Sequence, residues 1–239
     1  MRLAKPHIDI GLFTTDIAAH SAFWGQTMSL RLDHKLEFGT HGIATGMIQH
    51  RYDAHGSVIK VNHYPGELPR YQRSGYVGLT IARADVSPWD SQHPEGDRVL
   101  LVAPGTDGVV GIGITVSTPE PARMMDFYLR VMEFDEVNAT TTRCGDSLLF
   151  VEKGPVPDNH PTQFIGGRGF RYLTVQIFDA DLAVNEIVAR GGRLGQACVN
   201  FGEVARYGFV LDPDGGWIEM SARTSLTGIK PPIPAARVD

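Results

Sequence analysis

In the stretch His7-Ile8-Asp9-Ile10-Gly11-Leu12, apolar residues alternate with other residues as they do along a β-strand. A helical stretch that ends Phe23-Trp24…Met28…Leu30 follows it. The same pattern returns 104 residues later as Gly111-Ile112-Gly113-Ile114-Thr115-Val116, with a helix that ends Phe127-Tyr128…Met132…Phe134. Internal repetition of this kind constrains the whole fold. The sequence therefore predicts a protein built from repeated modules.

Two further copies of the pattern complete the chain. The run Tyr172-Leu173-Thr174-Val175-Gln176-Ile177-Phe178-Asp179 precedes a helix that stops at Gly191-Gly192, whereas Gly75–Ala82 has a strand pattern without a convincing helix after it. In the first module, further strands are expected at Leu30–Leu36, Ile43–His50 and Ser57–His63. The predicted fold class is α+β, with four βαβββ-type modules, of which the second is degenerate.

Pro- and Gly-rich segments suggest how the modules are divided. We predict an N-terminal half, residues 1–104, that holds the first and second modules, and a C-terminal half, residues 105–224, that holds the third and fourth. Residues 225–239 contain three prolines and are expected to form an irregular tail. In the second module, the polar stretch Ser87–Gly96 is expected to separate two strands.

Composition excludes several classes of function. The 239 residues carry a net charge of −5 with scattered Lys and Arg, so neither a nucleic acid nor a membrane surface is an expected partner. The N-terminus has no apolar segment typical of secretion, and Cys144 and Cys198 have no metal or redox spacing. We expect a soluble, cytoplasmic protein with a small-molecule substrate, and a homodimer is compatible with this sequence.

The βαβββ repeat ends in a hairpin that has a recognisable sequence. This hairpin, Asp212-Pro213-Asp214-Gly215-Gly216-Trp217-Ile218-Glu219-Met220, together with the aromatic pair on each helix, resembles the vicinal oxygen chelate superfamily. That superfamily includes glyoxalase I, extradiol dioxygenases, and fosfomycin-resistance and bleomycin-binding proteins. The resemblance implies that paired modules curl into two open half-barrels. It also implies that inward side chains of first and last strands bind a divalent metal, usually through two His and one Glu.

The ligand positions that the resemblance implies are poorly matched here. Glu219 matches the carboxylate of the last strand, but the equivalent position in the first module is Lys60. The first-strand positions are, depending on the anchor of the alignment, His7 or Asp9, Gly111 or Gly113, and Tyr172 or Phe170. A set of two His and one carboxylate cannot be assembled from them. We therefore expect no cofactor; if a divalent metal is bound, the ligands to test are His7, Asp9, His50, His63 and Glu219.

What remains is an inward cluster suited to acid–base chemistry. Asp9 and Lys60 are expected to form a buried pair, with Tyr172 as a phenol and Glu219 as a base, since burial shifts such pKa values toward neutrality. A purely structural ion pair between Asp9 and Lys60 is an equally good interpretation. The predicted catalytic residues are Asp9, Lys60, His50, His63, Tyr172 and Glu219. The predicted substrate-binding residues are Gln49, Arg51, Asn62 and Trp24.

Three functions are consistent with this cluster. The first is lyase or isomerase chemistry on a small oxygenated metabolite, by proton abstraction next to a carbonyl or on a hydroxylated aromatic, without the usual metal. The second is a non-catalytic protein that sequesters an aromatic drug or metabolite. The third is a metal-dependent extradiol-type dioxygenase, against which Gly111 and Gly113 argue. In each case we expect one working cavity, lined by the first module and by the fourth.

Overall fold

Fifteen strands make up the four modules in the computed structural model, which describes residues 1–39, 45–68, 74–84, 87–155 and 165–232. The first module contains β1 (Asp9–Thr14), β2 (Arg31–Glu37), β3 (Ile48–Ala54) and β4 (Ser57–His63). The second contains β5 (Tyr76–Ala82), β6 (Trp89–Gln92) and β7 (Arg98–Val102). The third contains β8 (Ile112–Thr118), β9 (Asp135–Asn138), β10 (Thr141–Cys144) and β11 (Ser147–Lys153). The fourth contains β12 (Gly169–Gln176), β13 (Arg193–Phe201), β14 (Ala205–Leu211) and β15 (Trp217–Arg223).

One helix follows the first strand of the first, third and fourth modules. These helices are α1 (Ile17–Ser21), α2 (Pro121–Asp126) and α3 (Ala180–Ala189), and a short α4 (Thr224–Thr227) follows the last strand. A 3-10 turn spans Thr106–Gly108. The described residues of the second module form no helix, as its sequence predicted, and the α+β class with βαβββ modules is confirmed. No helix in the described part of the chain is long and apolar enough to cross a membrane.

Several predicted strand boundaries were wrong. The strand expected at Ile43–His50 is β3, which begins at Ile48 because Gly46 lies in a turn with a φ of 81°; residues 43 and 44 of that prediction lie outside the described residues. The stretch Ser87–Gly96, which was expected to separate two strands, contains β6. Residues 225–227 of the tail predicted as irregular belong to α4, and residues 233–239 of it lie outside the described residues.

The modules pair across the two halves of the chain. One sheet has the order β13-β14-β15-β12-β1-β4-β3-β2 and therefore joins the fourth module to the first. The other has the order β6-β7-β5-β8-β11-β10-β9 and joins the second module to the third. The two central strands of the first sheet, β1 and β12, are antiparallel neighbours, with Gly11 opposite Tyr172 and Asp9 opposite Thr174.

The repeat at an offset of 104 residues extends to individual hydrogen bonds. Helices α1 and α2 each continue into a π-helical turn, Ala22–Thr27 and Phe127–Val131. The amide of Met28 donates to the carbonyl of Phe23 at 2.8 Å, and Met132 donates to Phe127 at 3.0 Å. In both modules the second aromatic ring, Trp24 or Tyr128, is fully buried against the sheet. The predicted equivalence of the two aromatic pairs is confirmed.

Candidate active site

A cavity of about 280 Å³ lies on the concave face of the sheet formed by the first and fourth modules. It has a polar floor and an apolar rim that includes several aromatic rings. The charged and polar lining residues are Gln49, Arg51, Lys60, Asn62, Tyr172, Gln196, Asn200, Tyr207, Glu219, Ser221 and Arg223. The apolar lining residues are Phe13, Leu36, Phe38, Met47, Ile165, Val199, Phe201, Ala205 and Phe209.

The alternation of side chains along each strand determines which residues face this cavity. On β3 and β4 the inward residues are Gln49, Arg51, Lys60 and Asn62, with Arg51 opposite Lys60 and Gln49 opposite Asn62. On β15 the inward residues are two apart from one another, namely Glu219, Ser221 and Arg223. The floor is thus built by the last strands of two different modules.

Lys60 and Glu219 form a buried ion pair at the centre of the floor. The Lys60 Nζ donates to Glu219 Oε2 at 2.8 Å and to Thr174 Oγ1 at 2.6 Å, and the Thr174 hydroxyl donates to the same Glu219 oxygen at 2.7 Å. Burial lowers the pKa of Lys60 from its ordinary value, although the carboxylate of Glu219 opposes this effect. Both bonds to the carboxylate use Oε2, so among the described residues Oε1 has no hydrogen-bond donor.

The two members of this pair occupy equivalent positions in their modules. Lys60 lies beside Gly11 of the first strand, and Glu219 lies beside Thr174 of the fourth module's first strand. A half-turn that exchanges β1 with β12 brings Gly11 to the position of Thr174. It therefore also exchanges the last-strand neighbours of these two residues, Lys60 and Glu219. The sequence placed both residues at last-strand positions, and pairing of the two modules brings them into contact.

A chain of side-chain amides fixes the orientation of Tyr172. Arg51 Nη1 can only donate, so the oxygen of Gln49, 2.6 Å away, must accept. At the other end the carbonyl of Leu12 can only accept, so the nitrogen of Asn62, 2.8 Å away, must donate. The two amide nitrogens therefore both donate to the Tyr172 hydroxyl oxygen, each at 3.2 Å. Since its oxygen accepts two bonds, Tyr172 retains its proton as a donor.

Glycine 11 provides the space for the Tyr172 ring. A Cβ atom at residue 11 would lie 2.0 Å from Tyr172 Cε1, a distance that real atoms do not adopt. The ring consequently lies over the first strand and reaches the amides of Gln49 and Asn62. Burial, with the nearby charge of Glu219, raises the pKa of Tyr172, so its phenol stays protonated.

The predicted ion pair between Asp9 and Lys60 is not formed. Asp9 Oδ1 accepts from Lys5 Nζ at 2.5 Å and from the backbone amide of Val58 at 2.9 Å, while Lys60 pairs with Glu219. The reason is the register, because Lys60 lies beside Gly11 and not beside Asp9. Asp9 is fully buried outside the residues that line the cavity, where burial alone would raise its pKa but the charges of Lys5, Lys60 and Arg51 lower it overall.

Four other predicted site residues lie away from the cavity. His50 and His63 lie on the opposite face of the sheet from Gln49 and Asn62, and burial with the charge of Lys35 lowers the pKa of His50 to about 4. Trp24 is fully buried and donates through Nε1 to His20 Nδ1 at 3.1 Å. His7 pairs with Asp146 of the third module, 2.7 Å away.

The residues at the superfamily's ligand positions do not fit a divalent cation. Glu219 is the one carboxylate among the described residues that line the cavity, and an ammonium group already holds it. The other charged lining residues, Arg51, Lys60 and Arg223, repel a cation. Within the described ranges, no three His, Cys, Asp or Glu side chains lie close enough to one another to hold a metal. The described lining of this cavity therefore lacks the donor set of a divalent-cation site.

Sequence reasoning missed six polar residues of the site. They are Thr174, Gln196, Asn200, Tyr207, Ser221 and Arg223. Two of them, Ser221 and Arg223, could have been found, because they follow Glu219 at the two-residue spacing of one strand face. The others depend on how β12, β13 and β14 are arranged around β15, which one sequence does not determine.

The other sheet carries apolar residues where the cavity has its ion pair. In the third module Phe150 lies beside Thr115, as Lys60 lies beside Gly11 in the first, and in the second module Leu100 lies beside Thr80. The ring of Phe150 also fills the space next to Gly113, where a Cβ atom would lie 2.5 Å from Phe150 Cε2. Of the two sheets, the one formed by the first and fourth modules therefore has the charged pair at these positions, and the other has apolar side chains.

Comparison with known proteins agrees with this architecture. Residues 112–220 match the model of the Glyoxalase/Bleomycin resistance protein/Dioxygenase superfamily, which spans the third and fourth modules. The predicted resemblance to the vicinal oxygen chelate superfamily is confirmed. Among curated proteins, none matches the chain significantly.

Solved structures of similar fold cover almost the whole chain. Glyoxalase I from Zea mays is 12% identical, with a TM-score of 0.67 over 95% of this chain and 94% of the maize chain. A proposed dioxygenase from Bacillus subtilis subsp. subtilis str. 168 is 11% identical, with a TM-score of 0.63 over 93% of this chain and 86% of its own. The cppA protein from Streptococcus pneumoniae TIGR4 is 9% identical, with a TM-score of 0.53 over 90% and 97%. At these identities the comparison shows the fold alone.

Proposed function

We propose that this protein is a vicinal-oxygen-chelate-type enzyme that removes a proton from a carbon next to a carbonyl group, in lyase or isomerase chemistry that does not need the superfamily's metal. The observation that carries the proposal is the contact between Lys60 and Glu219 in the cavity floor. It places a base and an acid 2.8 Å apart, with one carboxylate oxygen and one ammonium hydrogen not bound by a described residue.

The proposed step balances within these side chains. Glu219 Oε1 takes the proton as the C–H bond breaks, and the electron pair moves onto the carbonyl oxygen to give an enolate. The Lys60 ammonium and the Tyr172 hydroxyl donate hydrogen bonds to that oxygen. Return of the proton to a different carbon or a different face gives an isomer. Loss of a leaving group from the next carbon gives the product of a lyase.

Burial supports the acid role of Lys60. Its side chain is 4% exposed, so desolvation lowers the pKa of the ammonium and makes it a stronger hydrogen-bond donor to a developing oxyanion. Thr174 contacts both members of the pair and acts as a positioning residue, since it holds Oε2 and leaves Oε1 directed elsewhere. The two amides that donate to the Tyr172 oxygen position that residue too, and they leave its hydroxyl hydrogen free to be donated to the substrate.

Deuterium exchange tests this proposal directly. In D₂O, the protein is expected to accelerate exchange of the C–H group next to the carbonyl in members of a panel of small ketones and 2-oxo acids, followed by NMR. Glu219→Gln is expected to lower that exchange rate by about 100-fold or more, because general base catalysis contributes about 10²–10⁴-fold. Glu203→Gln, on an exposed pair with Lys230, is the matched control and leaves the rate unchanged. Full exchange activity in Glu219→Gln would contradict the proposal.

A non-catalytic binding protein is the second candidate, and the aromatic rim of the cavity favours it. Phe13, Phe38, Phe201 and Phe209 surround the polar floor and offer faces on which a flat ligand can stack. Binding of an aromatic ligand with no exchange in any panel member would support this function over the first. A metal-dependent dioxygenase is third, because the donor set of the cavity does not suit a divalent cation.

A further inference from the structure

Arg51 is a buried cation that forms no ion pair with a described carboxylate, although its charge helps to lower the pKa of Asp9. Its side chain is within the cavity wall and the residue is 4% exposed, but no carboxylate of the described residues pairs with it. Its one side-chain bond among the described residues joins Nη1 to the oxygen of Gln49, a neutral amide, at 2.6 Å. Its Nε is buried and has no partner there. A buried charge without a partner is costly, so this guanidinium is suited to a ligand that brings the missing charge.

Arg223 lies near Arg51 and is also without a partner. It is partly buried at the end of β15, and its guanidinium makes no hydrogen bond or ion pair with any described residue. Burial, and after it the charge of Arg51, lowers the pKa of Arg223. Two like charges therefore converge on one cavity, although repulsion alone would drive them apart.

The net charge of the cavity lining is positive. The described lining residues include three cations, Arg51, Lys60 and Arg223, and one carboxylate, Glu219. Glu219 is held by Lys60, so neither guanidinium forms an ion pair with a described residue, although Glu219, Asp9 and Asp33 offset part of the charge of Arg223. The planar fork of an arginine side chain matches a carboxylate or a phosphate with two parallel hydrogen bonds.

We propose that Arg51 and Arg223 together bind an anionic oxygen group of the substrate, a carboxylate or a phosphate, while the apolar body of the substrate packs on the aromatic rim. This inference rests on the proposed function in that it names the substrate class of the same cavity. Arg51 is the direct neighbour of Lys60 across β3 and β4, so a bound anion lies beside the acid–base pair and positions the reacting carbon.

Calorimetric titration with three probes that share one aromatic ring tests the inference. The probes are benzoate, phenyl phosphate and the neutral benzamide, each added to the full chain. At least one anion is expected to bind ten times more tightly than benzamide. The ratio of the affinities for benzoate and phenyl phosphate shows whether the site prefers a carboxylate or a phosphate. Arg223→Gln is expected to weaken the preferred anion about tenfold and to leave benzamide unchanged.

The controls separate this inference from the proposed chemistry. Arg130→Gln removes the same charge from an exposed helix position paired with Asp126, and it is expected to leave all three affinities unchanged. Glu219→Gln is expected to keep or strengthen anion binding, because it removes a negative charge beside the site. Equal affinity for benzamide and both anions, no saturable binding of either anion, or an unchanged anion affinity in Arg223→Gln would overturn the inference. If any of these results were obtained while Glu219→Gln still lost deuterium exchange, the anion-binding inference would fail and the catalytic proposal would remain supported.

Discussion

At the scale of single residues, the site depends on a glycine as much as on its charged groups. Tyr172 can lie over the first strand because residue 11 has no side chain. The position of its hydroxyl then follows from two amides whose orientations are fixed by Arg51 at one end and by a backbone carbonyl at the other. A change at residue 11 therefore reaches the acid–base site through the ring of Tyr172.

We predict that Gly11→Ala lowers both stability and activity. The new methyl group would overlap the Tyr172 ring, so either the ring or the strand must move, which costs about 1–3 kcal/mol. Urea denaturation measures the loss. Gly111→Ala is the matched control, because a Cβ atom there meets nothing within 4 Å. Equal stability of the two variants would contradict this account of the ring's position.

The residues that sequence reasoning found and missed show where its limit lies. Lys60 and Glu219 were recognisable from the repeat, because each stands at the same place in a last strand. Their contact with each other was not, since it depends on the first module pairing with the fourth. Asp9 was assigned to Lys60, but Lys5, in the irregular segment before β1, binds it instead. The catalytic and binding roles of the cavity residues remain predictions.

At the scale of elements, helix α1 packs against the turn that follows β6 through a cluster of rings. His20 is fully buried, accepts from Trp24, and lies 5.5 Å between ring centroids from His93. Burial and the proximity of His93 lower the pKa of His20 to about 3, so it is neutral in the folded protein. The Nε2 atom of His20 has no hydrogen-bond partner among the described residues.

We predict that stability decreases as the pH falls below about 6.5, the ordinary pKa of histidine. The folded pKa of His20 is depressed, so the unfolded chain binds a proton that the folded chain does not, and stability is lost as the pH falls toward the folded value. One such group costs about 2 kcal/mol at about pH 5. Urea denaturation at about pH 7 and pH 5 should show a smaller loss for His20→Gln than for the natural chain.

The matched control for this effect is His34→Gln, at an exposed histidine that contacts Asp33. We expect it to keep the pH dependence of the natural chain. If His20→Gln kept that dependence in full, the buried histidine would not be its source.

The segment that contains α1 shows how far secondary structure could be predicted from the sequence. The aromatic pairs Phe23-Trp24 and Phe127-Tyr128 predicted equivalent helix ends, and the hydrogen bonds of the two π-helical turns agree. The π-helical form itself was not foreseen, because an apolar pattern does not tell a bond to the fourth residue from one to the fifth. Strand β6 was missed because Trp89–Gln92 is short and polar.

At the scale of the whole molecule, the two sheets each take one module from either half of the chain. Residues 1–104 and 105–224 were predicted as halves of the sequence, and that division remains a prediction. In the structure β1 of the first half pairs with β12 of the second, and β5 pairs with β8. One core cluster also contains Ile10, Leu79, Ile114 and Leu173, one residue from each module.

We predict that the chain unfolds in a single cooperative transition. Separation of the two halves would break the strand pairing at the centre of both sheets and would expose the shared core to water. Neither half therefore has an independent set of contacts. Differential scanning calorimetry should give a van't Hoff enthalpy equal to the calorimetric enthalpy. Two resolved transitions, one for each half of the sequence, would show that the halves fold separately.

The half-turn that relates Lys60 to Glu219 has a stereochemical consequence. If the same residue stood at both positions, the two orientations in which a small substrate can enter would be equivalent. A carboxylate at one position and an ammonium at the other make these orientations different, so a bound substrate has one preferred direction along the floor. Under the proposed function, the carbon that loses its proton then lies toward Glu219 and the carbonyl oxygen toward Lys60, which predicts exchange of only one of the two enantiotopic hydrogens of a CH₂ group.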